Sequence, residues 1–229
     1  MQTGSLETEI KVIIVGNGGI GKTSLMTRFA EGKFDNQYLK TLGVDFLEKR
    51  VFVPSVHENV TFYLYDTAGQ EEFHALTRSF YKGAGAAMLA FSTVDRNSFT
   101  AIPDWISRVR EECGRIPMVL VQTKTDLIEK SALSGKEVED LVVEQNLRLF
   151  QVCAKDNINC NEVFEHICYE YVRRRRLLGN QMVSPVRSAF DYLPESETDP
   201  RVAKRDQTLD FRRKKKKSDR TILSNCLIM

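Results

Sequence analysis

One junction near the start of the chain restricts the fold more than any other feature. Residues 10–15 form a short apolar run rich in β-branched side chains, and the run ends in Gly16-Asn17-Gly18-Gly19-Ile20-Gly21-Lys22-Thr23. Helical spacing begins at once, over residues 24–30. A buried strand that turns through glycines into a helix is a unit of a parallel α/β sheet. The glycines let successive backbone N–H groups converge without Cβ obstruction, and such a concave row of donors suits an anion. The string fits GxxxxGK[ST] at every fixed position, between a strand and a helix as the motif requires. Residues Gly16, Asn17, Gly18, Gly19, Ile20, Gly21, Lys22, Thr23 and Ser24 are therefore the expected phosphate-binding set, with the positive end of the helix aimed at the same anion. Lys22 would neutralise β- and γ-phosphates, and Thr23 would offer its hydroxyl to Mg²⁺. A glycine-rich turn without a ligand is the bland alternative, and the flanking elements argue against it. The motif alone does not separate kinases, ATPases and GTPases.

Further apolar runs follow at residues 60–65, 86–91, 118–121 and 147–152. Helical stripes lie between them. Phe99, Ile102, Ile106 and Val109 make one; Val138, Leu141, Val142 and Gln145 suggest another; Val163, Phe164, Ile167, Tyr171 and Val172 make the last. Strands alternating with helices predict a mostly parallel sheet covered on both faces, with ligands at the carboxyl ends of the strands.

The chain has 229 residues, 42% of them hydrophobic, enough for a core of its own. No run approaches 18 apolar residues, and residues 1–9 are polar and acidic, so neither a membrane-spanning helix nor a secretory signal is expected. Five cysteines without a CxxC pair argue against a disulfide framework and a zinc site. Residues 1–172 carry 18 basic against 24 acidic side chains, whereas residues 173–229 carry 15 against 7. After Arg176 periodicity fails, and the run Arg212-Arg213-Lys214-Lys215-Lys216-Lys217 follows. The expected organisation is an N-terminal extension (1–9), one domain (10–172), then the end of a helix and a flexible basic tail (173–229).

Two further strings choose among the phosphate-loop classes. The strand that runs through residues 60–65 leads into Asp66-Thr67-Ala68-Gly69-Gln70-Glu71. A carboxylate in that place holds Mg²⁺, usually through water. Gly69 would turn a backbone N–H onto the γ-phosphate, Gln70 would orient the attacking water, and Thr41, 18 residues after Thr23, stands in the interval for a second Mg²⁺ contact from a mobile loop. A helix cap would explain Asp66 alone but not the whole string. The run at 118–121 leads into Thr123-Lys124-Thr125-Asp126. A carboxylate there accepts two hydrogen bonds from guanine N1–H and the exocyclic amine, a donor pair that adenine lacks. The run at 147–152 leads into Cys153-Ala154-Lys155, where a backbone N–H can meet the guanine O6.

With GNGGIGKT, Thr41, DTAGQE, TKTD and CAK in this order and spacing, residues 10–172 resemble the Ras-superfamily small GTPases. Leu42, Gly43, Val44, Asp45 and Phe46 beside Thr41, Tyr65 before DTAGQE, and Phe80-Tyr81-Lys82-Gly83-Ala84 after it are similar to the Rab family. The string Phe91-Ser92-Thr93-Val94-Asp95-Arg96-Asn97-Ser98-Phe99 looks most like the Rab branch, number twenty-three, associated with cilia and Hedgehog signalling. The resemblance implies a Ras-like domain with a six-stranded, mostly parallel sheet and GTP or GDP with Mg²⁺ as bound partners. It also implies an exchange factor, a GTPase-activating protein and effectors as protein partners. Phe34 would lie against the base and Tyr38 over the phosphates. Gly18 would leave room for a helper's catalytic groups. Residues 42–46 and 69–84 would be switch surfaces, and the base would meet Thr123, Lys124, Asp126, Cys153, Ala154 and Lys155. Three departures stand out. Thr123 replaces the usual Asn, which removes an amide link to the phosphate loop and predicts weaker tethering. Cys153 replaces the common Ser. The chain ends with one cysteine, where most Rabs have two.

That ending, Cys226-Leu227-Ile228-Met229, fits C-a-a-X, and a terminal Met favours farnesyl. One lipid anchors marginally, so a second signal is needed, and residues 212–217 supply it on an anionic leaflet at roughly 1 kcal/mol per basic side chain. A solvated tail, nuclear localisation and nucleic-acid contact are the competing readings of the basic run. Nothing in the composition supports a nucleic-acid-binding fold. The expectation is a monomeric GTP hydrolase on the cytoplasmic face of membranes, with a cytosolic pool, regulating vesicle traffic to or at the cilium. Water attacks in line, and unassisted turnover is on the order of 10⁻⁴ to 10⁻³ s⁻¹ by analogy with Ras. The rivals are a nucleotide-locked adaptor and a P-loop enzyme that uses ATP.

Overall fold

The computed structural model describes residues 7–35, 44–67 and 80–179. Six strands make one sheet: β1 (Thr8–Val15), β2 (Val44–Val53), β3 (Glu58–Thr67), β4 (Ala86–Ser92), β5 (Met118–Thr123) and β6 (Leu149–Gln151). Their order is β2-β3-β1-β4-β5-β6, and only the β2–β3 pair is antiparallel. The helices are α1 (Lys22–Glu31), α2 (Arg96–Thr100), α3 (Ile102–Cys113), α4 (Gly135–Gln145) and α5 (Cys160–Leu178), with a 3₁₀ turn at Thr125–Lys130. This is the Ras-like α/β architecture that the motifs predict.

Alternation along the strands divides the core between the two faces. Ile10, Val12 and Ile14 of β1 point to one side, with Leu25, Met26 and Phe29 of α1 and Phe164, Ile167 and Cys168 of α5. Phe29 stacks on Phe164 at 3.9 Å between ring centroids and meets Phe62 edge-on at 5.2 Å. Ile13 and Val15 point to the other side, with Ile102, Trp105, Ile106 and Val109 of α3 and Val138 and Leu141 of α4. Each face is covered, so β4 is buried along its whole length.

Three boundaries differ from the sequence reading. The stripe from Phe99 to Val109 is not one helix but two, broken at Ala101. Asp95 caps α2 by accepting from the Ser98 N–H, and Pro103 opens α3, where a missing N–H costs nothing. The last helix passes the predicted break at residue 176 and runs to Leu178, stopped by Gly179 at φ 68°. No apolar run signals β2. Asp45 and the charged run 48–50 interrupt its apolar residues, and it lies at the sheet edge, exposing Asp45, Phe46, Glu48, Arg50 and Phe52.

Candidate nucleotide site

The carboxyl ends of β1, β3, β5 and β6 converge on one rim. At the end of β1, Gly16 is held at φ 141°, and a Cβ there would lie 2.2 Å from the Ala90 carbonyl oxygen. Only glycine lets the loop pass this close to β4. The chain then turns through Gly19 (φ 71°) and Gly21 (φ 97°) into α1, whose first turn has no side-chain cap. Its leading N–H groups are left facing the loop. Gly18 and Gly19 are exposed, Asn17 is half-buried and Ile20 is buried.

Lys22 curls over this loop. Its ammonium donates to the carbonyls of Gly16 at 2.9 Å and Asn17 at 2.8 Å. Burial pushes the Lys22 ammonium below its ordinary range, and the Asp66 carboxylate works against that push. A cation held short of water by loop carbonyls is ready to exchange them for phosphate oxygens. Next to it the Thr23 hydroxyl donates to Asp66 Oδ2. Asp66 is fully buried near the end of β3, in register with Ile14 of β1. A hydroxyl and a carboxylate in contact beside a phosphate-type loop are hard oxygen donors that suit Mg²⁺. Ser24 follows in the first turn of α1, half-buried.

On the base side, Thr123 ends β5. The amide link is absent, but a shorter one stands in its place: the Thr123 hydroxyl lies 2.6 Å from the Ile20 carbonyl and 3.1 Å from that of Phe91. A short hydroxyl reaches because β5 ends directly behind the phosphate loop. Lys124, in the left-handed conformation at φ 57°, donates to the Gly19 carbonyl at 2.8 Å and adds a second link. Asp126 is exposed in the first turn of the 3₁₀ segment. The Cys153 thiol lies 3.5 Å from Asp126 Oδ1 and 3.2 Å from Asp156 Oδ2. Burial pushes that thiol up, which keeps it protonated and able to donate where a serine hydroxyl would. Ala154 is half-buried and Lys155 exposed.

Two residues of this site escaped the sequence reading. Arg28 donates to the carbonyls of Ala154 at 2.6 Å, Lys155 at 3.0 Å and Gly32 at 2.8 Å, and its guanidinium carbon lies 5.7 Å from the centre of the Phe34 ring. One side chain thus braces both parts of the base pocket. Its position in the last turn of α1 reads in sequence only as a complement to the helix dipole. Trp105 Nε1 donates to Asn17 Oδ1 at 3.0 Å, so the single tryptophan touches the phosphate loop. It belongs to none of the motifs or stripes read from the sequence.

Phe46 of β2 lies 5.1 Å from Tyr65 and 6.1 Å from Tyr63 between ring centroids, half out of the surface beside Asp45. Val44 opens the same strand. Tyr38, Thr41, Leu42, Gly43, Gly69, Gln70 and Cys226 lie outside the described residues.

Residues 11–173 match the Ras family. The chain is 32% identical over 179 residues to the Ras-related protein Rab-30 of Homo sapiens, covering 77% of this chain and 87% of that protein. It is 31% identical over 174 residues to the Ras-related protein Rab-13 of Bos taurus, covering 74% of this chain and 85% of the relative. Phosphate loop, buried carboxylate and base loop are set on one rim within a match that takes in nearly the whole described fold, and the chain belongs to the Ras family, as a small GTPase of the Rab type.

Proposed function

We propose that this chain binds GTP and GDP, hydrolyses GTP, and acts as a two-state regulator of vesicle traffic on the cytoplasmic face of membranes. One arrangement carries the reading. Lys22, Thr23 and Asp66 meet at one end of the rim, and Asp126 stands at the other beside Cys153. Phosphate chemistry and base selection therefore have separate, facing groups. Mg²⁺ bound by Thr23 and Asp66, and by Thr41, would supply neutralisation of phosphate charge. Lys22 binds and orients the terminal phosphates. Gln70 orients the attacking water, Gly69 and Tyr38 close on the phosphates, and Asp126 accepts from guanine N1–H and its amine. Loss of the γ-phosphate releases the segments around Thr41 and Gly69, and residues 42–46 cease to be an effector surface.

The tail beyond residue 172 completes the switch. Cys226 takes one prenyl group and residues 212–217 bind anionic lipid, and the protein works as a monomer with exchange, activating and effector partners. The Rab names of the relatives support traffic as the setting. The narrower ciliary setting rests on the string at residues 91–99 alone, and the location of a tagged chain tests it.

The central experiment measures nucleotide retention and phosphate release by the purified full-length chain. Stoichiometric guanine nucleotide is expected, unaffected by excess ATP. Gln70→Leu should keep GTP bound while slowing hydrolysis stimulated by an activating protein. A chain that retains no guanine nucleotide, or releases it to ATP, would sink the reading. A Gln70→Leu protein that turns over like wild type would remove the role given to that side chain and favour the adaptor rival.

A further inference from the structure

The last two residues of β5, Gln122 and Thr123, send their side chains to opposite faces of the sheet. Thr123 reaches into the phosphate loop through the bond to Ile20 already described. Its own carbonyl is gripped from the other side by Thr93, which follows β4. Thr93 donates its backbone N–H at 3.0 Å and its hydroxyl at 2.7 Å, both to the Thr123 carbonyl. The Thr93 oxygen in turn accepts from Gln122 Nε2 at 3.2 Å, and Gln122 Oε1 accepts from Gln151 Nε2 at 3.0 Å. Four side chains thus run from the outer edge strand β6, beneath the base loop, into the phosphate loop.

Burial makes this relay consequential. Thr93 is 0%, Gln122 2% and Thr123 3% exposed, so water does not replace a lost partner. Direction matters too. A threonine hydroxyl has one proton, and because its lone pair receives the Gln122 amide, that proton is committed to the Thr123 carbonyl. Gln122 therefore sets the polarity of the Thr93 hydroxyl, and Thr93 sets the height of the Thr123 backbone. A single short hydroxyl such as that of Thr123 has little reach, so its link to Ile20 depends on that height.

We propose that Thr93 and Gln122 are positioning residues that set how slowly guanine nucleotide leaves, by holding the Thr123–Asp126 loop against the phosphate loop. The proposal rests on the nucleotide-binding reading above and adds to it residues that touch neither base nor phosphate.

The test loads the full-length chain with a fluorescent GDP analogue and follows its release into excess GDP. Thr93→Val and Gln122→Leu should each speed release about five- to tenfold, the size of one lost buried hydrogen bond. Thr93→Ser restores the hydroxyl and should stay within about twofold of wild type. In a Thr123→Val background, Thr93→Val should add nothing, because both act on one link. Gln151→Ala, at the solvent end of the relay, keeps the core intact and should speed release about twofold. Wild-type release from Thr93→Val, Gln122→Leu and Gln151→Ala would overturn the relay. So would a Thr93→Ser protein as fast as the valine variant, or effects that multiply in the double variant. A wild-type chain that never takes up labelled GDP would instead sink the nucleotide reading itself, and the relay with it.

Discussion

Strands β4 and β2 belong to one sheet but live under opposite conditions. Every residue of β4 is buried, between strands on both sides and helices on both faces. Strand β2 pairs on one side only, and Phe46 and Phe52 are 40% and 54% exposed. The site follows the same divide. Its phosphate and base loops are carried on strands of the buried parallel part, and their mutual links run through buried atoms. The edge strand β2 presents Phe46 and Phe52 to the outside instead. Groups that must stay in fixed relation are carried on the rigid part, and exposed aromatic side chains on the edge.

The sharpest way to break this contrast is at Gly16. Alanine there would drive Cβ into the β4 backbone at a positive φ. Gly16→Ala should lose roughly 4 kcal/mol or more in urea unfolding, through overpacking and backbone strain together. Gly32→Ala is the control, since φ is also positive (70°, in the left-handed helical region) but nothing lies within 4 Å. It should cost only about 1 kcal/mol. Equal losses would mean that close packing of the loop on β4 is not what Gly16 serves.

A second measurement tests how dry the parallel part is. Lys11 of β1 is 1% exposed, its ammonium donates to the Lys82 carbonyl at 2.8 Å, and it lies 4.4 Å from the centre of the Tyr65 ring. Burial lowers its pKa to about 8. From there to the ordinary lysine value, the unfolded chain carries a proton that the folded chain lacks. Stability contributed by this residue therefore rises with pH across that window and is lost again as pH falls through about 8. Comparing wild type with Lys11→Met isolates the term, which should be on the order of 3 kcal/mol. Parallel stability curves for the two proteins would show that Lys11 is better solvated than its burial implies.

At the rim itself, Asp126→Asn should weaken GTP binding by about one to two powers of ten, the value of a charge-assisted hydrogen-bond pair. Xanthosine triphosphate, which carries oxygen in place of the amine, should gain. Unchanged GTP affinity would move base selection away from Asp126. The smallest effect belongs to the exposed edge: Phe52→Ser on β2 should change stability by no more than about 0.5 kcal/mol. A loss of 2 kcal/mol, roughly that of a buried side chain, would mean that the edge is covered in solution.

Much of the fold was legible because its signals are local. The glycines of residues 16–21, the apolar runs of the parallel strands and the stripes of α4 and α5 each report their own surroundings through nearest-neighbour periodicity. The same holds for Lys22 and Thr23 at the start of α1, Asp66 near the end of β3 and Asp126 just past β5, where chain position and chemistry coincide. Strand β2 was not legible, since an edge strand whose apolar residues are interrupted by Asp45 and the charged run 48–50 lacks the unbroken run of a buried one.

Sequence alone determined that this chain forms a parallel α/β sheet with a phosphate loop and a base loop at one rim, because those features depend on spacing along the chain. Tertiary structure alone decided how the loops are joined. Thr123 bonds Ile20 across 103 residues, Arg28 bonds Ala154 across 126, and Gln122 meets Thr93 across 29. Such contacts are set by strand order and by which face each side chain occupies. A hydroxyl can therefore reach the phosphate loop only when the sheet brings its partner close, and no pattern in one strand can state where another strand will lie.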